Sequence, residues 1–502
     1  VGCGPPHHDS LHDTMIAPSL GNRTELSGSR IGARRALASY SALALALFSS
    51  CSGGSDDTPA TEDATAAVQY WNGTAVDCSG LDHAPSDAEH AFGEQLGPCR
   101  SARAMAIVHV AIFEALNAVL GGYESYVGLP AAAEPTSTRA AVAQASRDTL
   151  VALFPSQTTR LDGKLAAELA AIPAGEPKTR GIALGAAAAD AILDLRANDG
   201  SDHPEPVVGV DYFPSGLPGA WSPDPISGGT VALGAHWAQV APFAMVSADQ
   251  FRIVPPPDLS SAEYALAFDE EVVLGGDGVN TPTLRSEEQT FTGIFWAYDG
   301  TPSLCAPPRL YNQIANQIAA QEGTTGIELA RLLALANLAM ADAGIAAWES
   351  KYHYAFWRPV TAIRSASTDG NPATFEDPDY HPLGAPASNL QGPNFTPPFP
   401  AYPSGHATFG GALFQTLRRY YGTDDVAFTF VSDEFNGETL DNEGNARPYI
   451  PRSFDSFSAA EEENGQSRIY LGIHWNFDKV EGIAQGNEVA DWVFDRVFAP
   501  AP

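Results

Sequence analysis

Positive charge is scarce in this chain: 27 Lys and Arg stand against 60 Asp and Glu, a formal net charge of -33. Such an acidic surface is well solvated and disfavours a general affinity for nucleic acid or anionic lipid. Any buried cluster of Lys and Arg would stand out against it. Cysteine is scarce too, 5 in 502 residues, with no paired CxxC metal site. A Gly-rich phosphate loop and a short-period repeat are missing as well, and strand-like alternation is scarce. No run of roughly twenty apolar residues is apparent in the body, which argues against a membrane-embedded enzyme.

What is present is a large apolar fraction, 44%, enough to fill a sizeable core. From about residue 99 the apolar residues recur at helical spacing: Met105, Val108, Ile112, Leu116 and Val119 form one such stripe. Further helices are expected in "TRAAVAQASRDTLVALF", in "RGIALGAAAADAILDLRAN" and from Ile327 to about Trp357, with a Pro/Gly-rich connection at 203–233. The expected fold class is all-α, with helical bundles and long Pro/Gly-rich loops. His109 and His236 read as core or boundary histidines, His353 as part of an aromatic layer, and "AAEEENG" as a solvated loop or helix end.

The N-terminal part reads as a processing segment. Arg30, Arg34 and Arg35 precede the apolar run "ALASYSALALALF" and the small residues "SSCSGG", the order of a secretory signal, with Cys51 as a possible lipidated residue. The expected organisation is a leader at 1–51, a small, polar, acidic linker at 52–67 and a catalytic body at 68–502. In an oxidising compartment Cys78 and Cys99 could pair, leaving Cys305 alone; two unpaired core cysteines are the alternative.

Three motifs carry chemistry. In "AAWESKYHYAFWRPVTAIR", Lys351 and Arg358 stand seven apart, two turns on one helical face, and Pro359 bends or ends the helix there. In "PFPAYPSGHATFGGA", Ser404 can cap a helix, Gly405 exposes its backbone N–H, and His406 adds a group that ionises near neutral pH. In "SRIYLGIHWNFDKVEG", His474 and Asp478 stand four apart, so that on a helix the carboxylate orients the ring; Arg468 approaches from another side. Each motif alone is a weak signal. A plain anion binder would need the cations but not His406, and a serine hydrolase is disfavoured because no G-x-S-x-G elbow surrounds Ser404.

Together, K-x6-R-P, PSGH and SR-x5-H-x3-D resemble the signature of vanadium-dependent haloperoxidases and of the type 2 phosphatidic acid phosphatases. The resemblance implies an all-helical fold in which Lys351, Arg358, Ser404, the Gly405 N–H and Arg468 hold a tetrahedral oxyanion. His474 would bond to its central atom and His406 would be the acid-base group. It further implies vanadate as cofactor, with hydrogen peroxide and halide as substrates, Lys351 polarising the peroxide, and hypohalous acid as product. The alternative is an acid phosphatase that hydrolyses phosphate esters through a phosphohistidine on His474. "PPFPAYPSGHATFGGA" is similar to the corresponding chloroperoxidase segment, and Phe399 and Trp348 match aromatics of that halide pocket. Asp299, in "FWAYDGTPSLCAPPRLYNQI", is the expected partner of Arg468. These neighbours favour the haloperoxidase reading over the phosphatase.

Overall fold

The computed structural model describes residues 64–502. The leader, Cys51 and most of the expected linker lie outside the described residues. Helix α1, Thr65–Asp82, begins before the boundary at 68 expected from composition, because Ala64, Ala67 and Val68 are buried in the core. It is followed by α2 (Pro98–Leu120), α3 (Thr138–Leu153), α4 (Thr158–Ala170) and α5 (Glu176–Arg196). The 203–233 connection contains no helix, as its turn dipeptides predict.

Then come α6 (Ala262–Leu274), α7 (Glu287–Phe295), α8 (Pro307–Gln321), α9 (Gly326–Tyr354), α10 (Pro359–Arg364) and α11 (Gly405–Tyr421). A two-stranded antiparallel hairpin, β1 (Phe428–Asn436) with β2 (Tyr449–Phe454), precedes α12 (Phe457–Tyr470) and α13 (Asn476–Phe494). The hairpin is the one departure from the all-helical expectation among the described residues. Its apolar residues Phe428, Phe430 and Phe454 serve as a lid on the helical core.

Two packing layers share α9. On one side α2 packs on α9 and α3, and α3 on α5; on the other α11 lies against α13 and α9. Small residues set the second approach: a side chain at Gly486 of α13 would collide with the Thr408 carbonyl of α11. Helices α2 and α9 are long and apolar enough to cross a membrane, contrary to the expectation that no such run exists, but 83% and 94% of their apolar windows are buried in the fold. Both are apolar all round because they are core helices surrounded by other helices.

Cys78, Cys99 and Cys305 are free thiols, all buried, so the pairing considered for the first two is not made. His109 is a core residue whose ring nitrogens meet the Met105 carbonyl at 2.8 Å and the Asn72 side-chain amide at 2.9 Å.

Candidate active site

Helix α9 ends sooner than the sequence suggests. Ala355 adopts left-handed backbone, φ 48°, and Arg358 is the N-cap of α10, with Pro359 in its first turn. Lys351 and Arg358 therefore do not share one helical face; the break at 355–358 turns the chain so that both cations meet the same aromatic ring. Phe399 lies 5.1 Å from Lys351 Nζ and 5.0 Å from Arg358 Cζ.

The two cations are used differently. Arg358 donates through Nε to the Phe399 carbonyl at 2.9 Å and through Nη1 to the Ile473 carbonyl and His474 Nε2, while its Nη2 has no partner. Burial lowers its pKa to about 9, which leaves it cationic at neutral pH. The Lys351 ammonium, fully buried, donates to the carbonyls of Pro400, Ala401 and Pro403. An ammonium has three N–H donors, so none remains for an anion. Lys351 thus lends the site charge and ties down the 400–403 segment, which differs from the direct oxyanion contact expected of it.

That segment delivers the PSGH motif to the start of α11. Ser404 is its N-cap, and its Oγ accepts the Ala407 N–H at 3.4 Å. Ser404 is fully buried and is not among the cavity-lining residues, whereas Gly405 and His406 are. As the first residue of α11, Gly405 has an N–H without an intrahelical acceptor. A Cβ there would press on the Trp348 ring at 3.2 Å, so glycine brings backbone and indole together. His406 Nε2 donates to the Ala297 carbonyl. Burial, then the Arg468 charge, holds its pKa well below the ordinary histidine value.

Arg468 and His474 were expected at different angles on one helix. Instead α12 stops at Tyr470, Gly472 turns the chain at φ 73°, and His474 stands in the turn ahead of α13. Asp478 is in the first turn of α13, where its Oδ2 accepts His474 Nδ1–H at 2.7 Å and the Trp475 N–H at 3.0 Å. Since Arg358 donates to Nε2 at 2.9 Å, the ring is a neutral imidazole with its lone pair on Nε2. Burial depresses the His474 pKa, with Arg358 and Lys351 adding to it, and burial lifts Asp478 to about 7. Arg468, 1% exposed, binds Asp299 Oδ1 at 2.6 Å through Nη2, and its Nε and Nη1 have no partner.

Of these groups Asp299, Gly405, His406, Arg468 and His474 line a cavity of 380 Å³, and Lys351, Arg358, Ser404 and Asp478 do not. Asp299, His406, Arg468 and His474 line its polar side, and Trp348 and Phe399, with ring centroids 4.9 Å apart, line an apolar side. Leaving buried guanidinium N–H groups unpartnered is costly. The orphaned N–H groups of Arg358 and Arg468 and the free end of α11 suit a tetrahedral oxyanion, and His474 Nε2 would ligate its central atom once its lone pair is released from Arg358 Nη1. The residues therefore fit vanadate.

Sequence reasoning missed the supports of His406. Its backbone carbonyl accepts from Tyr311 Oη at 2.9 Å and from Asn464 Nδ2 at 2.9 Å, and Tyr311 also bonds Asn464 at 3.0 Å. Asn464 falls in the run read as solvated; it lies inside α12 with Glu461, and both are buried, Glu461 paired with Arg418. The available signal was spacing: Asn464 precedes Arg468 by one helical turn and shares its face.

Residues 331–501 match the model of the VCPO second helical-bundle domain. The vanadium chloroperoxidase of Curvularia inaequalis is 41% identical over 264 residues, which is 45% of this chain and 43% of that protein's length. A bacterial vanadium-dependent iodoperoxidase structure superposes with a TM-score of 0.67 at 25% identity, covering 86% of this chain and 98% of that one. A holo-type bacterial vanadium-dependent chloroperoxidase superposes with a TM-score of 0.62 at 19% identity, covering 85% and 96%, and so shares the fold.

Proposed function

From a chain that carries the second helical-bundle domain of the VCPO family, we propose a vanadate-dependent haloperoxidase that oxidises halide with hydrogen peroxide to hypohalous acid. The observation that carries this reading is the meeting, at one cavity, of the unpartnered Arg468 N–H groups and His474 with the Trp348–Phe399 ring pair. Relatives that are a vanadium chloroperoxidase and a vanadium-dependent iodoperoxidase support it.

His474 Nε2, Arg358, Arg468 and the Gly405 N–H would hold vanadate. When bound, vanadate supplies a Lewis-acidic centre that activates hydrogen peroxide toward halide. The chain's own groups do the rest. Asp478 keeps the His474 proton on Nδ1, so Nε2 keeps its lone pair, which accepts from Arg358 Nη1 here and would pass to a ligand when that bond is given up. Lys351, without donating to the site, adds positive charge beneath Phe399. An anion on the cradle would offset the Arg468 charge that depresses His406 and raise its proton affinity, making it the group that takes and returns the proton. Trp348 and Phe399 would strip water from the halide and leave it a stronger nucleophile. The balance is halide, hydrogen peroxide and one proton giving hypohalous acid and water.

The test is a phosphate-free preparation assayed with orthovanadate, peroxide and bromide or chloride, beside a parallel assay with a phosphate monoester and no vanadate. Vanadate-dependent halogenation abolished by His474→Ala is the expected result. Fast ester hydrolysis without halogenation would overturn it in favour of the phosphatase. Export, with a lipid anchor at Cys51, rests on the order of residues 30–54; fatty-acid labelling lost in Cys51→Ser is its test.

A further inference from the structure

A single short segment serves two groups of the site. Ala297 gives its carbonyl to His406 Nε2, and Asp299, just beyond it, takes Arg468 Nη2 at 2.6 Å. Residues 297–305 therefore set the acid-base histidine and a cavity-lining cation together. Their backbone does not favour this shape by itself. Tyr298, Ser303 and Cys305 adopt left-handed backbone, with φ of 45°, 67° and 56°, a region costly for residues other than glycine. Such a conformation persists only where the surroundings enforce it.

The enforcement comes from both ends. At the start, Tyr298 Oη donates to Gln313 Oε1 at 3.1 Å and accepts the Asp433 N–H at 2.6 Å. In the middle, Asn389 Nδ2 donates to the Pro302 carbonyl at 2.8 Å. At the far end the holder is α1, which lies outside the residues 331–501 that match the family's domain. The Ser303 N–H donates to the Gly80 carbonyl at 3.2 Å, and Ser79 Oγ meets Cys305 Sγ at 2.7 Å. This approach is close enough to need glycine: a Cβ on Gly80 would stand 2.8 Å from the Ser303 carbonyl oxygen and 2.9 Å from Arg309 Nη1. Ser79 is braced in turn, its carbonyl meeting His83 Nδ1 at 2.9 Å. Ser101 of α2 is farther from the sulfur, at 3.6 Å, and its hydroxyl donates to the Gln95 carbonyl. Ser79 and Cys305 are both buried, so bulk water does not replace their contact.

The geometry points to Ser79 and Cys305 as positioning residues for the site: their contact latches the strained 297–305 segment to α1 and so fixes how Arg468 and His406 face an anion. Neither touches the anion. The link to Asp299 is direct, because the N–H of the next residue, Gly300, donates to the Cys305 carbonyl at 2.8 Å. A loosened Cys305 relaxes from its left-handed backbone and carries Gly300 and Asp299 with it. Arg468 must then be re-ordered each time an anion binds, which lowers affinity. The inference rests on the oxyanion cradle of the proposed function, not on which reaction is run there.

Phosphate calorimetry on the full chain, without vanadate or peroxide, tests it. Ser79→Ala removes only a hydroxyl and should weaken phosphate binding about threefold to tenfold, the range of couplings carried by residues that do not touch the ligand. Cys305→Ala should do the same. Cys305→Ser, which can still hydrogen-bond Ser79, should recover the parent affinity. Ser146→Ala, which removes an equally buried helical hydroxyl from α3, should leave phosphate binding unchanged and so separates the latch from general loosening. In an Asp299→Asn background Ser79→Ala should cost less than about twofold, because the latch acts through that carboxylate. Unchanged affinity in Ser79→Ala and Cys305→Ala overturns the proposal, as does an undiminished loss in the Asp299→Asn background. If Ser79→Ala does not fold, Cys305→Ala against Cys305→Ser decides: equal affinities overturn the latch. A parent protein that binds no phosphate refutes the cradle and the latch with it, whereas a parent and latch variants that bind it equally well refute the latch alone.

Discussion

Arg196 and Arg468 are both buried arginines at the ends of helices, and they are treated in opposite ways. Arg196, at the end of α5, spends its guanidinium on Asp199 and on the carbonyls of Ala241 and Pro242. Arg468, at the end of α12, makes one bond, to Asp299, and leaves Nε and Nη1 bare. The same contrast separates His109, whose ring nitrogens both have protein partners, from His406, which faces the cavity. Burial alone therefore does not mark function here. Arg196 and His109 are satisfied from within the fold, whereas Arg468 keeps two bare N–H groups that an anion could meet.

The largest expected effect tests that contrast directly. Arg468→Ala should weaken phosphate or vanadate binding by about 100-fold or more, the loss typical of a buried charge pair across a binding site. Arg196→Ala should leave anion affinity unchanged and instead cost about 1–3 kcal/mol of stability through the carbonyls of Ala241 and Pro242 that lose their donors, while Arg103 still pairs with Asp199. Titration calorimetry and thermal unfolding of both variants check it. Equal losses of affinity would break the comparison.

Lys351 is the case that could blur it, because it sits in the cradle yet is fully partnered in the manner of Arg196. Lys351→Met should lower the unfolding temperature and reduce anion affinity less than Arg468→Ala does, because a charge is lost but no donor to the anion. An affinity loss as large as that of Arg468→Ala would mean that the ammonium leaves its carbonyls when an anion binds.

How much of this was legible in the sequence follows from the range of the interactions. Helical spacing located α2, α3, α5 and α9 because burial imposes it residue by residue, and the motifs named the cradle residues because each is local. The spatial reasoning within the motifs was less sound. Lys351 with Arg358, and Arg468 with His474, were placed on shared helices, but left-handed Ala355 and Gly472 break the chain between them. Nothing local announces a left-handed alanine. Asn464 was hidden for the opposite reason: an acidic run looks solvated unless its neighbours, Tyr311 and Arg418, are known to lie across from it.

Acid should separate the anion-free from the anion-bound protein. His406 and His474 have folded pKa values below their ordinary 6.5, so the folded state binds fewer protons than the unfolded one. Their contribution to stability is present above about pH 6.5 and is lost as pH falls below it. Asp478, raised from 3.8 to about 7, works the other way, its contribution being lost as pH rises through about 7. Glu271 and Glu434 are raised by burial as well, so the cradle histidines set only the difference that phosphate makes: saturating phosphate, by offsetting Arg358 and Arg468, should stabilise the protein more at about pH 5 than at about pH 7 beyond what its binding alone gives. An identical slope of unfolding temperature against pH with and without phosphate would show that the histidines are not electrostatically tied to the cradle.

The smallest expected effect concerns a residue that touches no reactant. Tyr311→Phe removes the one phenol proton that the His406 carbonyl and Asn464 Oδ1 share. Asn464 Nδ2 still holds that carbonyl, so the stability loss should be near 1 kcal/mol. If the hydroxyl only fills space, peroxidase turnover and its pH profile stay as in the parent protein. If it sets the angle at which α11 presents His406, the turnover profile shifts along the pH axis while anion affinity, which depends on Arg358, Arg468 and His474, does not. The second result is expected, because the Tyr311 bond is made to the backbone of the residue whose ring must reach the cavity.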